Sequence, residues 1–335
     1  MKSKKKTRSS IYSKKLTKKK FMNLEYPYRH LEITKNQMLK DFNKLKKYKP
    51  IIIRKHNKKI TKYNNQIIIF KEIYNLNKEL YSITDYFSHK CRTRCIFNLR
   101  EDQNMLDLFQ ENKKKILIEF EKKKLDITYH NINEYLFNNF SQCTNFNTTI
   151  VVSILHFFKP EKVLDFSAGW GDRLVGAIAY DCEYLGIDPS NCMNPNYKKI
   201  INTLCSSGKK KQYKIIKSGF EDVETKKNYY DLVFTSPPFF DLEVYEDSDT
   251  QSIEKFNTVD KWKTNFLFPC IKKSFESLKK NKHLALYITD YKNNYYIKDM
   301  KDYIKYELGY KYEGNLYWMN NNNNKNLRTV FVWKK

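Results

Sequence analysis

Long apolar runs are missing from this 335-residue chain. A membrane-spanning helix needs roughly 18 or more consecutive apolar residues, and the longest run here, Ile150-Val151-Val152-Ser153-Ile154-Leu155, is broken within a few positions. No membrane partner is expected. The amino terminus carries lysines with no hydrophobic stretch behind them, so it does not read as a secretory leader. Cysteine is scarce too, with seven residues at scattered spacings. An odd, scattered set argues against a disulfide framework and for a reducing compartment, cytoplasmic or nuclear. His89, Cys91 and Cys95 lie close together, yet a Cys-x-x-x-Cys without a second pair is a poor zinc pattern, and no metal site is expected. No internal repeat stands out.

Acidic residues are also nearly absent from the first 60 positions. Glu25, Glu32 and Asp41 face 21 lysines and arginines there, a local net charge of +18. The other 275 residues share 42 basic and 34 acidic groups, leaving +8 of the total +26. Such a segment attracts phosphate backbones and makes binding salt-sensitive. Lys, Asn, Ile and Tyr are abundant along the whole chain, however, so codon bias and a merely solvated tail is the competing account. Residues 1–20 read as a disordered basic arm. Residues 21–143 read as a basic, mainly helical region suited to substrate recognition. Within it a helix is expected near Gln37–Lys47, ended by Pro50, and a mostly helical pattern from Ile67 to Phe140.

What is present beyond residue 144 is a different pattern. Short apolar runs ending in polar residues (Val163–Asp165, Tyr184–Asp188, Tyr213–Ile216, Asp231–Phe234, Leu284–Ile288) alternate with helical stretches at Asp172–Ala179, Tyr197–Cys205, Val259–Leu278 and Tyr296–Glu307. Strands alternating with helices mean parallel βαβ units. Two late strands, Tyr310–Tyr317 and Arg328–Trp333, flank an asparagine run that reads as a surface loop. The expectation is an α/β fold with a seven-stranded, mostly parallel sheet closed by a hairpin.

Asp165-Phe166-Ser167-Ala168-Gly169-Trp170-Gly171-Asp172 follows the first of these strands and opens a helix. Glycines there admit a ligand close to the backbone, and helix N–H groups face it. A dinucleotide fingerprint would want a third small residue where Leu174 stands, so a nicotinamide cofactor is not indicated. Asp165, four positions before the first glycine, suits a ligand carrying a positive amino group. Asp188 ends the next strand, where a carboxylate can take both ribose hydroxyls. The segment resembles the first motif of class I S-adenosylmethionine-dependent methyltransferases, which have a Rossmann-like fold. The resemblance implies S-adenosyl-L-methionine as cofactor, held by Asp165, Ser167, Gly169, Gly171 and Asp188. It implies further that Phe220 packs on the adenine ring, that Glu221 or Asp222 accepts from its amino group, and that Phe146 and Thr148 meet the methionine end.

Ser236-Pro237-Pro238-Phe239 ends the fourth strand. It resembles the (Asp/Asn/Ser)-Pro-Pro-aromatic signature of amino-methyltransferases. An exocyclic amine is a poor nucleophile because its lone pair is delocalised into the ring. Acceptance of its two N–H bonds by the Ser236 hydroxyl and the Pro237 carbonyl would draw the nitrogen toward tetrahedral and aim the lone pair. Pro237 and Pro238 fix the backbone, and Phe239 offers a flat face to an extruded base. Ser in the first position leans toward cytosine N4 in DNA. The motif order, cofactor loop before catalytic turn, is that of N6-adenine enzymes with amino-terminal cofactor motifs and of RNA enzymes. The longer stretch Ser236–Tyr245 with Trp262, and Ile83-Thr84-Asp85-Tyr86-Phe87 followed by Arg92 and Arg94, are similar to viral and phage methyltransferase-like proteins. The expected partner is therefore nucleic acid, DNA ahead of RNA. A non-catalytic nucleic-acid-binding protein on the same fold is the alternative of another class. Arg92 and Arg94 read as phosphate contacts or surface charge.

Overall fold

The computed structural model describes residues 15–55, 63–64, 66–71, 74–98, 102–246, 248–292, 294–319 and 327–335. Positions 1–14 of the arm and most of the asparagine loop lie outside the described residues.

Residues 15–20 depart from the expected disordered arm. Leu16 N–H donates to the Ile127 carbonyl at 2.8 Å, and the short helix α1 (Lys18–Met22) is capped by Thr17. Leu16 and Phe21 are buried against Met105, Phe109 and Phe120. Two apolar anchors outweigh the surrounding lysines, whose charges stay in water. After a single turn, α2 (Arg29–Glu32), comes α3 (Lys35–Lys46), capped by Thr34, with Met38, Phe42 and Leu45 on its buried stripe. This is the helix expected near Gln37–Lys47.

The strands β1 (Ile52–Lys55) and β2 (Ile67–Lys71) correct the mainly helical expectation for this region. Ile67, Ile68, Ile69 and Phe70 are all buried, as in a strand covered on both faces. A four-residue apolar run has no period that separates strand from helix. The helices α4 (Tyr74–Arg92), α5 (Met105–Lys122) and α6 (Tyr129–Asn139) follow, with the short strand β3 (Ile96–Phe97) before α5.

From α7 (Thr148–Phe158) onward the chain alternates. β4 (Lys162–Asp165), α8 (Asp172–Tyr180), β5 (Glu183–Ile187), α9 (Asn194–Leu204), β6 (Tyr213–Ile216) and β7 (Tyr230–Thr235) build one half of the sheet. A two-residue strand, β8 (Glu243–Val244), leads to a helical stretch over 252–277, and then β9 (Leu278–Tyr287), β10 (Lys311–Met319) and β11 (Arg328–Lys334) follow. The expected helix Val259–Leu278 is interrupted by a π-helical turn at Lys263–Leu267.

The sheet order is β1-β2-β10-β11-β9-β7-β4-β5-β6. The sheet therefore has nine strands rather than seven. β2 joins it in parallel with β10, pairing Ile68 with Leu316, and β1 adds outside it. Strands β4 to β7 and β9 are mutually parallel, β11 runs against its neighbours β9 and β10, and β1 at the edge runs against β2. This is the Rossmann-like arrangement with a late antiparallel hairpin that characterises the methyltransferase variant of the doubly wound fold. Part of the amino-terminal region packs into the main core, while Leu16, Phe21, α5 and α6 form a cluster of their own. Met38, Phe42, Ile68, Phe70, Ile83 and Phe87 share one core with Val151, Leu174 and Val332.

Four cysteines overturn the expectation of a chain without disulfides. Cys91 is bonded to Cys192, and Cys95 to Cys143, with Cα separations of 5.7 and 6.2 Å. Cys182, Cys205 and Cys270 are free. The last turn of α4 is thereby tied to the loop between β5 and α9, and the turn after α4 to the segment before α7. The pairs are 101 and 48 residues apart, so only the fold brings them together. The argument from cysteine to a reducing compartment falls with this.

Candidate active site

In an open doubly wound sheet, ligands bind beyond the carboxyl ends of the strands where the strand order reverses. Here that point lies between β4 and β7. The loop leaving β4 is shaped by its glycines. Gly169 and Gly171 have φ of +58° and +90°, a region costly for other residues. A Cβ on Gly171 would also sit 2.8 Å from Ile200 Cδ1. Gly171 leads directly into α8, so the first-turn N–H groups face the loop.

Asp188 braces that loop. Its Oδ2 accepts from Gly169 N–H at 2.7 Å and its Oδ1 from Ser190 N–H at 3.0 Å. Each carboxylate oxygen has two lone pairs, so one per oxygen is left for a ligand. Burial pushes this carboxyl up to about 6.

Asp165 is placed differently from expectation. Its Oδ2 accepts from Arg173 Nε at 2.7 Å and from the Tyr184 hydroxyl at 2.6 Å, while Oδ1 accepts from Ser167 N–H at 3.2 Å. The residue is wholly buried. Asp165 thus pairs with Arg173 and pins the loop from within. Neither Arg173 nor Tyr184 stood out in the sequence.

At the end of β6, Phe220 is enclosed in the core, its ring stacked on Phe166 at 5.1 Å and 8°. Its exposed surface therefore offers no platform for an adenine ring. Lys273 Nζ fixes this turn by donating to the carbonyls of Phe220, Glu221 and Val223 at 2.8–2.9 Å. Glu221 and Asp222 share Lys255, at 2.9 and 2.8 Å, and Glu221 Oε2 is buried without a partner among the described residues. Glu221 is the acid with an acceptor to spare.

The Ser236-Pro237-Pro238-Phe239 turn lies across the reversal point. Ser236 is half-buried at the end of β7, and its hydroxyl has no hydrogen bond among the described residues. Phe239 meets Tyr287 edge-on at 5.6 Å. Phe146 sits against Phe234, Tyr287 and Trp318 at 4.9–5.7 Å. Phe239, Tyr287 and Phe146 thus form one continuous aromatic cluster. Thr148 is buried in the first turn of α7, behind Phe146.

The loop after Phe239 is held down by the amino-terminal region. β3 pairs with β8, and Asn98 Nδ2 donates to the Asp241 carbonyl at 2.7 Å. Further on, Glu246 accepts from Asn191 and Cys192 N–H groups, and Tyr245 packs on Trp170. The loop after Phe239 is thus tied to the segment after β5 and touches the glycine loop at Trp170.

α4 contributes a buried polar cluster. Arg92 pairs with Asp85 at 2.6 Å and donates to the Cys143 carbonyl at 2.9 Å. It is neither a phosphate contact nor surface charge. Burial alone would raise the Asp85 carboxyl, but Arg92 overcomes it and holds it below the ordinary range. Arg29 N–H donates to His89 Nδ1 at 3.0 Å, and burial pushes His89 well down, so the ring is a neutral acceptor. The Thr84-Asp85 segment was visible in the sequence only as a similarity; the seven-residue step from Asp85 to Arg92 is its physical signal, two helical turns on one face.

No protein-family model and no curated protein matches the chain. Among solved structures it is similar to TrmN from Thermus thermophilus, at 11% identity and a TM-score of 0.40 over 57% of this chain and 49% of that one. It is also similar to the 1,6-didemethyltoxoflavin-N1-methyltransferase of Burkholderia thailandensis, at 8% and 0.39 over 56% and 77%. A third is the tRNA (m1A58) methyltransferase TrmI from Aquifex aeolicus, at 11% and 0.37 over 58% and 72%. The chain spans about half the length of the first of these. The fold assignment rests on the strand order.

Proposed function

We propose that the chain is an S-adenosylmethionine-dependent methyltransferase acting on an exocyclic amino group of a nucleic-acid base. DNA, at cytosine N4 or adenine N6, is the leading target and an RNA base the alternative. One observation carries this reading: half-buried Ser236 follows β7 directly and stands beside Pro237, across the reversal point from the glycine loop braced by Asp188.

The residues fit the cofactor. Asp188 keeps an acceptor on each oxygen for the ribose, Glu221 Oε2 is an orphaned acceptor for an adenine amino group, and Gly169 keeps the loop open to close approach. When bound, the cofactor supplies an electrophilic methyl group. The chain's own residues do the rest. The Ser236 hydroxyl and the Pro237 carbonyl accept the two N–H bonds of the target amine, which localises its lone pair. Phe239 and Tyr287 hold the planar base and exclude water. Exposed lysines on α3 (Lys35, Lys40, Lys46) and beyond it (Lys47, Lys49) suit a phosphate backbone.

Incubation with labelled methyl donor and separate DNA, RNA and protein pools, followed by mass identification of the modified nucleoside, tests the proposal. Label in a DNA base supports it, and label in RNA alone selects the alternative. Label only in protein, or no transfer despite cofactor binding, overturns it, the latter in favour of a non-catalytic binding protein.

A further inference from the structure

We infer that Tyr295 is a stacking platform for the nucleotide beside the target base, presented by the loop that leaves β9. This rests on the nucleic-acid reading given above and names a contact within it. β7 and β9 run in parallel with Thr235 opposite Leu286. The chain therefore leaves both strands at one level, into the Ser236-Pro237-Pro238-Phe239 turn from β7 and into the 288–296 loop from β9.

That loop is tied to the continuation of the turn. Asn294 Nδ2 donates to Asp241 Oδ1 at 3.2 Å, and Lys292 Nζ donates to the Asn98 carbonyl at 3.3 Å. Asn294 N–H donates to the Tyr291 carbonyl at 2.8 Å, closing a tight turn. On the other side of Tyr295, Asp290 Oδ1 accepts from the N–H groups of Tyr296 and Ile297 at 2.9 and 3.0 Å. The Tyr296 ring is wholly buried against Trp262, at 5.2 Å. The residues before and after Tyr295 are thus fixed, and the acids Asp241 and Asp290 are taken up by bonds within the chain.

Tyr295 itself is 66% exposed, and its side chain has no ring contact or hydrogen bond among the described residues. An aromatic ring left in water forgoes the stabilisation of burial. Tyr306 is as exposed, at 69%, but differs on two counts. Lys305 Nζ lies over its ring at 4.5 Å, and it stands just before β10 begins, toward the amino ends of the parallel strands. Tyr295 stands at their carboxyl ends, where the site is. A ring on a fixed backbone loses little freedom when a flat partner settles on it, and a nucleic-acid base of any sequence offers such a face. Lys292, exposed in the same loop, brings positive charge near for a phosphate.

Binding of a labelled single-stranded DNA of mixed sequence, and of RNA of the same sequence, to the full chain tests this. Tyr295→Ala should weaken binding of whichever strand wild type takes by about 5- to 100-fold, the range of one stacked base. The factor should be the same at low and high salt, because stacking releases no counterions. Tyr295→Phe, which keeps the flat face, should stay within about twofold of wild type. With 5-iodouracil in the strand, ultraviolet crosslinks to the wild-type chain should map to the 288–296 loop, a result that needs no variant to fold. Wild-type affinity in Tyr295→Ala, an equal loss in Tyr295→Phe, or crosslinks confined to other surfaces would each overturn the inference. A wild-type chain that binds neither strand would instead remove the nucleic-acid reading, and this inference with it.

Discussion

The carboxyl ends of β4 and β5 lie side by side, Asp165 in register with Gly186, yet their acids are treated in opposite ways. Asp165 has an arginine, a tyrosine hydroxyl and a backbone N–H, all from within the chain. Asp188 has two backbone N–H groups and no cation. The first arrangement is a closed ion pair that sets the shape of the glycine loop. The second is an anion held in place and left incomplete. A buried charge with unspent acceptors costs stability, and such costs are retained where a ligand repays them.

The largest expected effect comes from opening the closed end. Arg173→Met leaves Asp165 buried without its cation and should cost about 3–5 kcal/mol, read as a fall in urea-unfolding stability. A loss under about 1 kcal/mol would mean that Tyr184 and Ser167 suffice and that the pair is not the lock described.

Next in size is the tether on the other end. Cys192 follows Asp188 by four residues, so the Cys91–Cys192 bond restrains the β5 loop. Removing the Cys91–Cys192 bond by Cys91→Ser should lower stability by about 2–4 kcal/mol. Hydrogen exchange should quicken at the Ser190 and Asn191 amides before the Ser167 amide responds. Exchange rising equally at both strand ends would erase the contrast.

A smaller effect has the opposite sign. Burial raises the Asp188 carboxyl from 3.8 to about 6, so the folded chain binds this proton more tightly than the unfolded one. Stability is lost as pH rises from about 4 to about 6, and the loss persists above that window. Asp188→Asn removes the ionisation. It should gain about 2 kcal/mol at pH 7 and almost nothing at pH 4, while weakening cofactor binding. Thermal unfolding at the two pH values shows which holds.

The smallest effect concerns the arm, which belongs to neither end. Residues 1–14 carry six basic residues. Their removal should leave cofactor affinity unchanged and reduce the log–log salt slope of nucleic-acid binding by up to about 5. An unchanged slope would assign those lysines to codon bias.

The strand ends were legible in the sequence because chemistry concentrates there: Asp165, Gly169, Gly171, Asp188 and Ser236 all fall where an apolar run gives way to polar residues. What was not legible depends on partners distant in sequence. Nothing in Ile67–Phe70 announces pairing with Leu316 in another part of the chain. The disulfides join residues that sequence spacing cannot pair. The closed state of Asp165 depends on Arg173, which in isolation reads as one more helix residue. Phe220 is an adenine contact only by the family resemblance, and the ring stacked on it here is that of Phe166.

Single-turnover methyl transfer by Ser236→Ala tests the central claim most directly. Ser236 touches neither the glycine loop nor Asp188, so the variant should bind cofactor within a few-fold of wild type. Its transfer rate should fall by roughly 10²-fold, the scale of losing one preorganised hydrogen-bond partner. A variant that transfers the methyl group at the wild-type rate would contradict the account and leave the Pro237-Pro238 turn a structural one.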